Sequence, residues 1–145
     1  MRILLLSICL LSGSLFAAGQ NPESLKGTVI GSVYSADYST PGGIPSTTVN
    51  TKENVFDDNI ETFFAAFDRS GGWVGLDLGT PHIIKQISFA SRKDLASLLE
   101  LGLFEGANNP DFGDAIPLFV IKETPENGVM TTVDINCSRG FRYVR

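Results

Sequence analysis

The sequence is poor in cysteine and histidine, and this excludes two common kinds of small domain. Of its two cysteines, Cys9 lies in the N-terminal apolar run, so Cys137 has no disulfide partner within residues 20–145. A disulfide-stapled scaffold is therefore excluded. His82 is the single histidine, which excludes a histidine metal cluster, and no recognisable nucleophile motif surrounds it. These absences predict a protein that is not an enzyme.

The chain also lacks an excess of positive charge. It carries 11 basic and 16 acidic residues and a formal net charge of −5. Only Arg2 among these lies in the first 19 residues, so residues 20–145 carry a net charge of −6. An acidic surface argues against nucleic acid as a partner and gives no reason to expect an anionic membrane.

Long hydrophobic runs are absent beyond the N-terminus. Residues 1–19 contain Arg2, then an apolar run from Ile3, then small residues ending at Gly19, which is typical of a secretory signal peptide. The run is short for a membrane span, and an uncleaved anchor is the alternative interpretation. Cleavage before Gln20 predicts a secreted protein, extracellular or periplasmic, whose residues 20–145 form one domain with a real core.

Helical periodicity is missing from the rest of the chain. Residues 73–79 alternate large apolar with small or polar side chains, which predicts a strand with one buried face. Residues 81–91 predict another strand, with Ile83, Ile87 and Phe89 on one face. Shorter strands are predicted at residues 25–33, 101–105, 116–122, 129–135 and 141–144. Many short strands separated by glycine and proline turns predict an all-β fold, either a β-sandwich or a jelly roll.

Residues 54–62 bunch acidic and amide side chains between apolar anchors. Carboxylate and amide oxygens in such a cluster repel one another unless a cation or backbone donors satisfy them. One interpretation is a calcium loop, and the other is a capped turn in which Asp57 precedes Phe63 and Phe64. The spacing alone favours the capped turn, and Thr62 stands where an EF-hand requires glycine.

Exposed aromatic and basic side chains are the candidates for ligand binding. Residues 34–46 predict a loop whose only bulky side chains are Tyr34 and Tyr38, and such rings can stack on a sugar. The alternative is that they fold back over the end of the sandwich. Arg69 lies in a predicted turn. Arg92 and Lys93 suit hydroxyl or carboxylate recognition. The alternative, which the sequence favours, is a solvated loop in which these cations pair internally with Asp94.

Several segments, in order, resemble the discoidin or coagulation factor 5/8 type C domain family. The pattern runs through residues 54–64 (NVFDDNIETFF), 71–79 (GGWVGLDLG), Pro81, Ile83, Ile84, Arg92, 102–109 (GLFEGANN) and 141–145 (FRYVR). Two departures stand out, because Asp58 replaces the usual glycine and Phe64 replaces the usual tryptophan.

The resemblance implies a galactose-binding-like jelly-roll sandwich and non-catalytic binding. The ligand it implies is most often a carbohydrate or glycoconjugate, and in some members a phospholipid or a cell-surface protein. It also implies a structural calcium site away from the ligand, carried over to Asn54, Asp57, Asn59 and Thr62. With the resemblance included, the calcium loop becomes the favoured interpretation of residues 54–62.

In the family, a further loop and a last strand follow the position of Arg145. We therefore expect residues 20–145 to be a domain truncated at its C-terminus. Two alternative functions stay open at this point. The chain would be the front binding module of a larger secreted glycoside hydrolase, or an adhesion module for protein or lipid surfaces.

Overall fold

The computed structural model describes residues 7–12, 24–68 and 70–145. The predicted leader boundary after Gly19 and the candidate residue Arg69 lie outside the described residues. Within them, none of the helices is long and apolar enough to span a membrane. The described strands are β1 (Ser7–Ser12), β2 (Thr28–Gly31), β3 (Ser35–Asp37), β4 (Ile44–Ser46), β5 (Val74–Ala90), β6 (Leu103–Ala107), β7 (Ile116–Val120), β8 (Thr131–Asp134) and β9 (Gly140–Val144), with short 3-10 helices at Lys52–Phe56 and Ala96–Leu99.

The long strand β5 belongs to both layers of the fold. Its first half pairs with β2 and β9, and β9 continues the layer to β6 and β7. Its second half pairs with β1 and β8, so part of the apolar run predicted as a leader lies in this sheet. All these pairings are antiparallel. The predicted all-β fold is confirmed.

The sequence predicted two strands at residues 73–79 and 81–91, and the structure has one. A large irregularity replaces the expected break. Asp77 pairs with Tyr143 and His82 pairs with Phe141, so four residues of β5 face Arg142 alone. Gly79 allows this excursion with a φ of 76°. The Arg142 side chain bridges the irregularity by donating two hydrogen bonds to the Asp77 carboxylate, at 2.8 and 2.9 Å.

A second irregularity in β5 corrects the predicted core. Ser12 pairs with Ile84 and Leu11 pairs with Gln86, which leaves Lys85 as an extra residue. Because an extra residue reverses the alternation of faces, Ile84 is buried with Ile87 and Phe89, whereas Ile83 is 40% exposed. The prediction that Ile83 shares the core face was wrong.

The predicted loop at residues 34–46 contains a small hairpin. Strands β3 and β4 pair with Ser35 opposite Ser46, and the Asp37 carboxylate accepts a hydrogen bond from Ser39 N at 2.8 Å in the turn. Gly42 and Gly43 complete the turn with φ values of 88° and 74°. Turn residues make up much of this segment, so its two short strands leave little hydrophobic pattern to detect.

The main core lies between the two layers. The buried rings of Phe89 and Phe104 pack with the partly buried ring of Phe119, with centroids 5.5 to 6.4 Å apart. Val55 and Phe64 enter the same core from the long connection between β4 and β5, at 0% and 1% exposure. These two side chains therefore fix both ends of the intervening acidic segment to the sandwich.

Neighbouring isoleucines on β5 provide a matched test of this register. Ile84→Ala removes a fully buried side chain and is expected to lower the free energy of unfolding by about 2 to 5 kcal/mol. Ile83→Ala removes a side chain that is 40% exposed, so its effect is expected to be much smaller. Urea denaturation of both variants measures the difference, and equal destabilisation would contradict the bulge at Lys85.

The Asp77–Arg142 pair predicts part of the acid sensitivity of folding. Hydrogen bonds from Arg142 hold the pKa of the Asp77 carboxyl below its usual range, against a smaller opposing effect of burial. The folded pKa lies below the unfolded value of about 3.9, so this stabilisation is complete above that value. It is lost as the pH falls through the folded pKa.

Unfolding measured between neutral pH and strong acid tests this linkage. Asp77→Asn removes the titrating group and Arg142→Gln removes its partner, so both variants are expected to show a shallower acid-side loss of stability than the parent. An unchanged acid slope in both variants would show that the pair does not couple to folding.

Candidate functional site

Residues 54–62, which we call the acidic loop, bring the four predicted metal ligands together. The Thr62 hydroxyl Oγ1 lies 2.6 Å from Asp57 Oδ2, 2.8 Å from the Asn59 carbonyl oxygen and 3.3 Å from the Asn54 carbonyl oxygen. A hydroxyl carries one hydrogen and can donate it to one of these oxygens at a time. Oxygen atoms from four residues therefore converge at one point of the loop.

The backbone of the acidic loop is shaped by two successive turns. Asp57 Oδ1 accepts a hydrogen bond from Asn59 N at 2.9 Å, and Asn59 Oδ1 accepts one from Glu61 N at 3.1 Å. The capped-turn interpretation thus describes one oxygen of the Asp57 carboxylate, and the second oxygen faces Thr62. The capped turn uses Asp57 Oδ1 and the calcium loop would use Asp57 Oδ2, so the two interpretations are compatible.

The backbone conformation at Asp58 explains why the discoidin pattern has glycine at this position. Its φ is 59°, in the left-handed region that glycine adopts freely and aspartate adopts at modest cost. Its carboxylate forms an exposed ion pair with Lys26, at 3.7 Å. Asp57 is therefore the one carboxylate at the point where the loop oxygens converge.

The donor set of the acidic loop fits calcium. Ca²⁺ takes oxygen ligands, including carboxylates and backbone carbonyls, in a flexible geometry. Among the described residues no three histidine, cysteine, aspartate or glutamate side chains are grouped to hold a metal. A cation held here would have one carboxylate ligand, and its other ligands would be carbonyl and hydroxyl oxygens, which suit a hard cation.

A second candidate site, the aromatic–arginine end, consists of Tyr38, Phe63, Arg92 and Lys93. Three segments meet here, because Ala36 of the β3–β4 hairpin, Phe63 after the acidic loop and Leu95 after β5 belong to one apolar cluster. The Arg92 guanidinium lies 4.3 Å from the centroid of the Phe63 ring. This stacking holds the guanidinium in place by a cation–π interaction.

Tyr38 lies within electrostatic reach of Arg92. Partial burial raises the pKa of the Tyr38 phenol above its usual range, and the positive charge of Arg92 opposes that rise. The Tyr38 side chain is 42% exposed, so its ring is accessible to a ligand. Tyr38 and Arg92 therefore belong to segments that pack against each other through Ala36, Phe63 and Leu95, and Lys93 follows Arg92 as an exposed neighbour.

The positive charges of this end are free of acidic partners. Asp94, the expected partner, accepts a hydrogen bond from Asn127 at 3.1 Å instead. Among the described residues, neither Arg92 nor Lys93 forms an ion pair. The alternative in which these cations pair internally with Asp94 was wrong, because the turn carrying Asn127 packs against the segment after β5 through a Gly128 N to Ser91 Oγ hydrogen bond.

Tyr34 is not joined to this cluster by any contact in the described part of the chain. It is 51% exposed, and its carbonyl oxygen accepts a hydrogen bond from Phe67 N at 3.0 Å.

Sequence reasoning missed Phe63, which it treated as a core anchor beside Phe64. Phe63 is partly buried against Ala36 and Ala65, whereas Phe64 is buried in the main core, and the segment is not a strand whose alternation could have separated the two rings.

Comparison with known proteins gives one informative likeness. No protein-family model and no curated protein matches the chain. Among solved structures, the CBM62 module of Xyl5A from Clostridium thermocellum matches with 38% sequence identity and a TM-score of 0.73. The match covers 83% of this chain and 81% of that chain, and it confirms the predicted galactose-binding-like β-sandwich. The finer resemblance to discoidin domains stays a prediction.

Proposed function

Because the chain belongs to the CBM62 family of carbohydrate-binding modules, we propose that it is a secreted, non-catalytic module that binds a carbohydrate or glycoconjugate. The observation that carries this proposal is Arg92, whose guanidinium stacks on Phe63 and has no carboxylate partner among the described residues, with the exposed Tyr38 on the hairpin that packs against Phe63. A guanidinium donates several hydrogen bonds in a fixed plane, and sugar hydroxyls accept them. An exposed tyrosine ring offers an apolar face to the C–H groups of a sugar ring.

The acidic loop has a supporting role in this proposal, with calcium held by Asn54, Asp57, Asn59 and Thr62. Calcium would supply the positive charge that lets the carboxylate and carbonyl oxygens approach one another. The loop also bears on the ligand site, because Asn54 Nδ2 donates a hydrogen bond to the carbonyl oxygen of Phe63 at 3.3 Å. Order in the loop thus helps fix the ring on which Arg92 stacks.

Removal of the leader follows from secretion and has a structural consequence. Cleavage before Gln20 would take away β1, and the edge of β5 between Ile84 and Ala90 would lose its partner there. The protein recovered from the medium is therefore the form in which ligand binding should be measured.

Calcium binding predicts a rise in melting temperature. A ligand that binds the folded state stabilises it by mass action, so calcium added after EDTA treatment is expected to raise the melting temperature of the protein. Asp57→Asn keeps an oxygen that can accept from Asn59 N and removes the charge, and it is expected to abolish the shift.

A matched control comes from another turn of the same kind. Asp111 Oδ1 accepts a hydrogen bond from Gly113 N at 2.8 Å, as Asp57 does from Asn59 N, so Asp111→Asn is expected to keep the full calcium shift. A parent protein that melts at the same temperature in EDTA and in calcium would overturn the metal loop.

Carbohydrate binding predicts a loss of affinity in variants of the aromatic–arginine end. A glycan array identifies a binding sugar, and isothermal titration calorimetry measures its affinity. Loss of a hydrogen bond to a charged group costs about 1.5 to 3 kcal/mol, so Arg92→Ala is expected to weaken binding about ten- to a hundred-fold. Tyr38→Ala is expected to weaken binding in the same direction.

Arg139→Ala is the control for this experiment. Arg139, in the loop between β8 and β9, forms an ion pair with Asp114 at 2.9 Å. Removal of the Arg139 side chain is expected to leave sugar affinity unchanged. A sugar bound with equal affinity by the parent and by Arg92→Ala would place the site elsewhere. Adhesion to cells or vesicles that no sugar displaces would favour the alternative of a protein- or lipid-binding module.

A further inference from the structure

The loop between β8 and β9 contains the triplet Asn136-Cys137-Ser138. It is the one Asn-X-Ser/Thr sequence, with X other than proline, in the 145 residues. This triplet is the acceptor pattern for N-linked glycosylation of secreted proteins. The proposed carbohydrate site does not include this triplet, so the two sites can be tested separately.

The geometry of the loop presents the acceptor outward. Asn136 and Ser138 are both exposed, whereas Cys137 between them is partly buried against the main core. The partly buried middle residue fixes the loop to the sandwich and leaves its neighbours on the solvent side. Within the described residues, neither the Asn136 carboxamide nor the Ser138 hydroxyl makes a side-chain hydrogen bond. Both groups required by the acceptor pattern are therefore accessible and uncommitted.

The loop also lies at a border of the sheet. In the described part of the chain, β8 pairs with β5 along one edge and with no strand along the other. An enzyme that must reach Asn136 from solvent meets no paired strand on that side. A bulky hydrophilic group here would stand beside an open strand edge, where it hinders pairing with another chain.

We propose that Asn136 accepts an N-linked glycan when the chain is secreted through a eukaryotic secretory pathway, the condition under which the triplet acts as an acceptor. In the transfer, the carboxamide nitrogen of Asn136 attacks the anomeric carbon of an oligosaccharide linked to a polyisoprenyl diphosphate. The new bond joins that nitrogen to the anomeric carbon, and the bond from the anomeric carbon to the phosphate oxygen breaks. The amide loses one proton and the polyisoprenyl diphosphate leaves, so the step needs no oxidant or reductant.

The glycan is compatible with the proposed ligand site. In the register of β8 with β5, Gln86 lies opposite Asp134, so Asn136 extends towards Ile84. Arg92 follows the other end of β5, beyond Ala90. Ala90 is six residue positions beyond Ile84 along the strand, a distance of about 20 Å. A glycan on Asn136 would therefore stand well away from the aromatic–arginine end.

Secretion of the full chain from a eukaryotic host tests the proposal. Protein collected from the medium is compared by intact mass and by gel mobility before and after peptide N-glycosidase digestion. The expected result is one glycan that the enzyme removes, leaving aspartate at position 136 in the peptide map. If little protein is secreted, the first 19 residues are replaced by the leader of another secreted protein, so that position 136 is examined in every case.

Variants of the triplet identify the acceptor. Asn136→Gln and Ser138→Ala are each expected to abolish the glycan, whereas Ser138→Thr keeps the pattern and is expected to keep it. Asn109→Gln, at an exposed asparagine outside any such triplet, is expected to leave glycosylation unchanged. Secreted, folded parent protein without a glycan on Asn136 would overturn the proposal, whether or not the protein binds sugar.

Discussion

The structure depends on one strand that serves both layers of the sandwich. β5 pairs with β2 and β9 in its first half and with β1 and β8 in its second. β5 also departs from the regular alternation of a strand. It does so twice, at the excursion around Gly79 and at the bulge at Lys85. The bidentate Arg142–Asp77 pair spans the first break, so a charge-assisted contact stabilises the point where backbone pairing is lost.

Both candidate sites are positioned by the same short piece of chain. Phe64 is fixed in the main core, and Phe63 beside it faces the other side and carries the Arg92 guanidinium. The acidic loop ends at Thr62, directly before this pair. A side chain of the loop, Asn54, holds the carbonyl oxygen of Phe63. The acidic loop and the aromatic–arginine end are therefore connected through Phe63, although they use different atoms.

Much of the fold could be predicted from local pattern, and the failures have identifiable causes. The all-β class followed from short apolar runs between turn residues. The face of Ile83 could not be predicted, because an extra residue at Lys85 comes from pairing with other strands and leaves no mark in the sequence around it. The β3–β4 hairpin was missed because its strands are three residues each and its sequence is mostly turn.

The sequence by itself determined the fold class, the acidic loop and the segments that carry the candidate ligands. These depend on residue type and spacing over short stretches, where local physics is sufficient. Only the tertiary structure decided which distant residues meet. It placed Arg92 on Phe63 near the hairpin that carries Tyr38, directed Asp94 to Asn127, and gathered the loop oxygens around the Thr62 hydroxyl. Such contacts depend on how segments far apart in the chain pack against a shared core, and no local pattern encodes that packing.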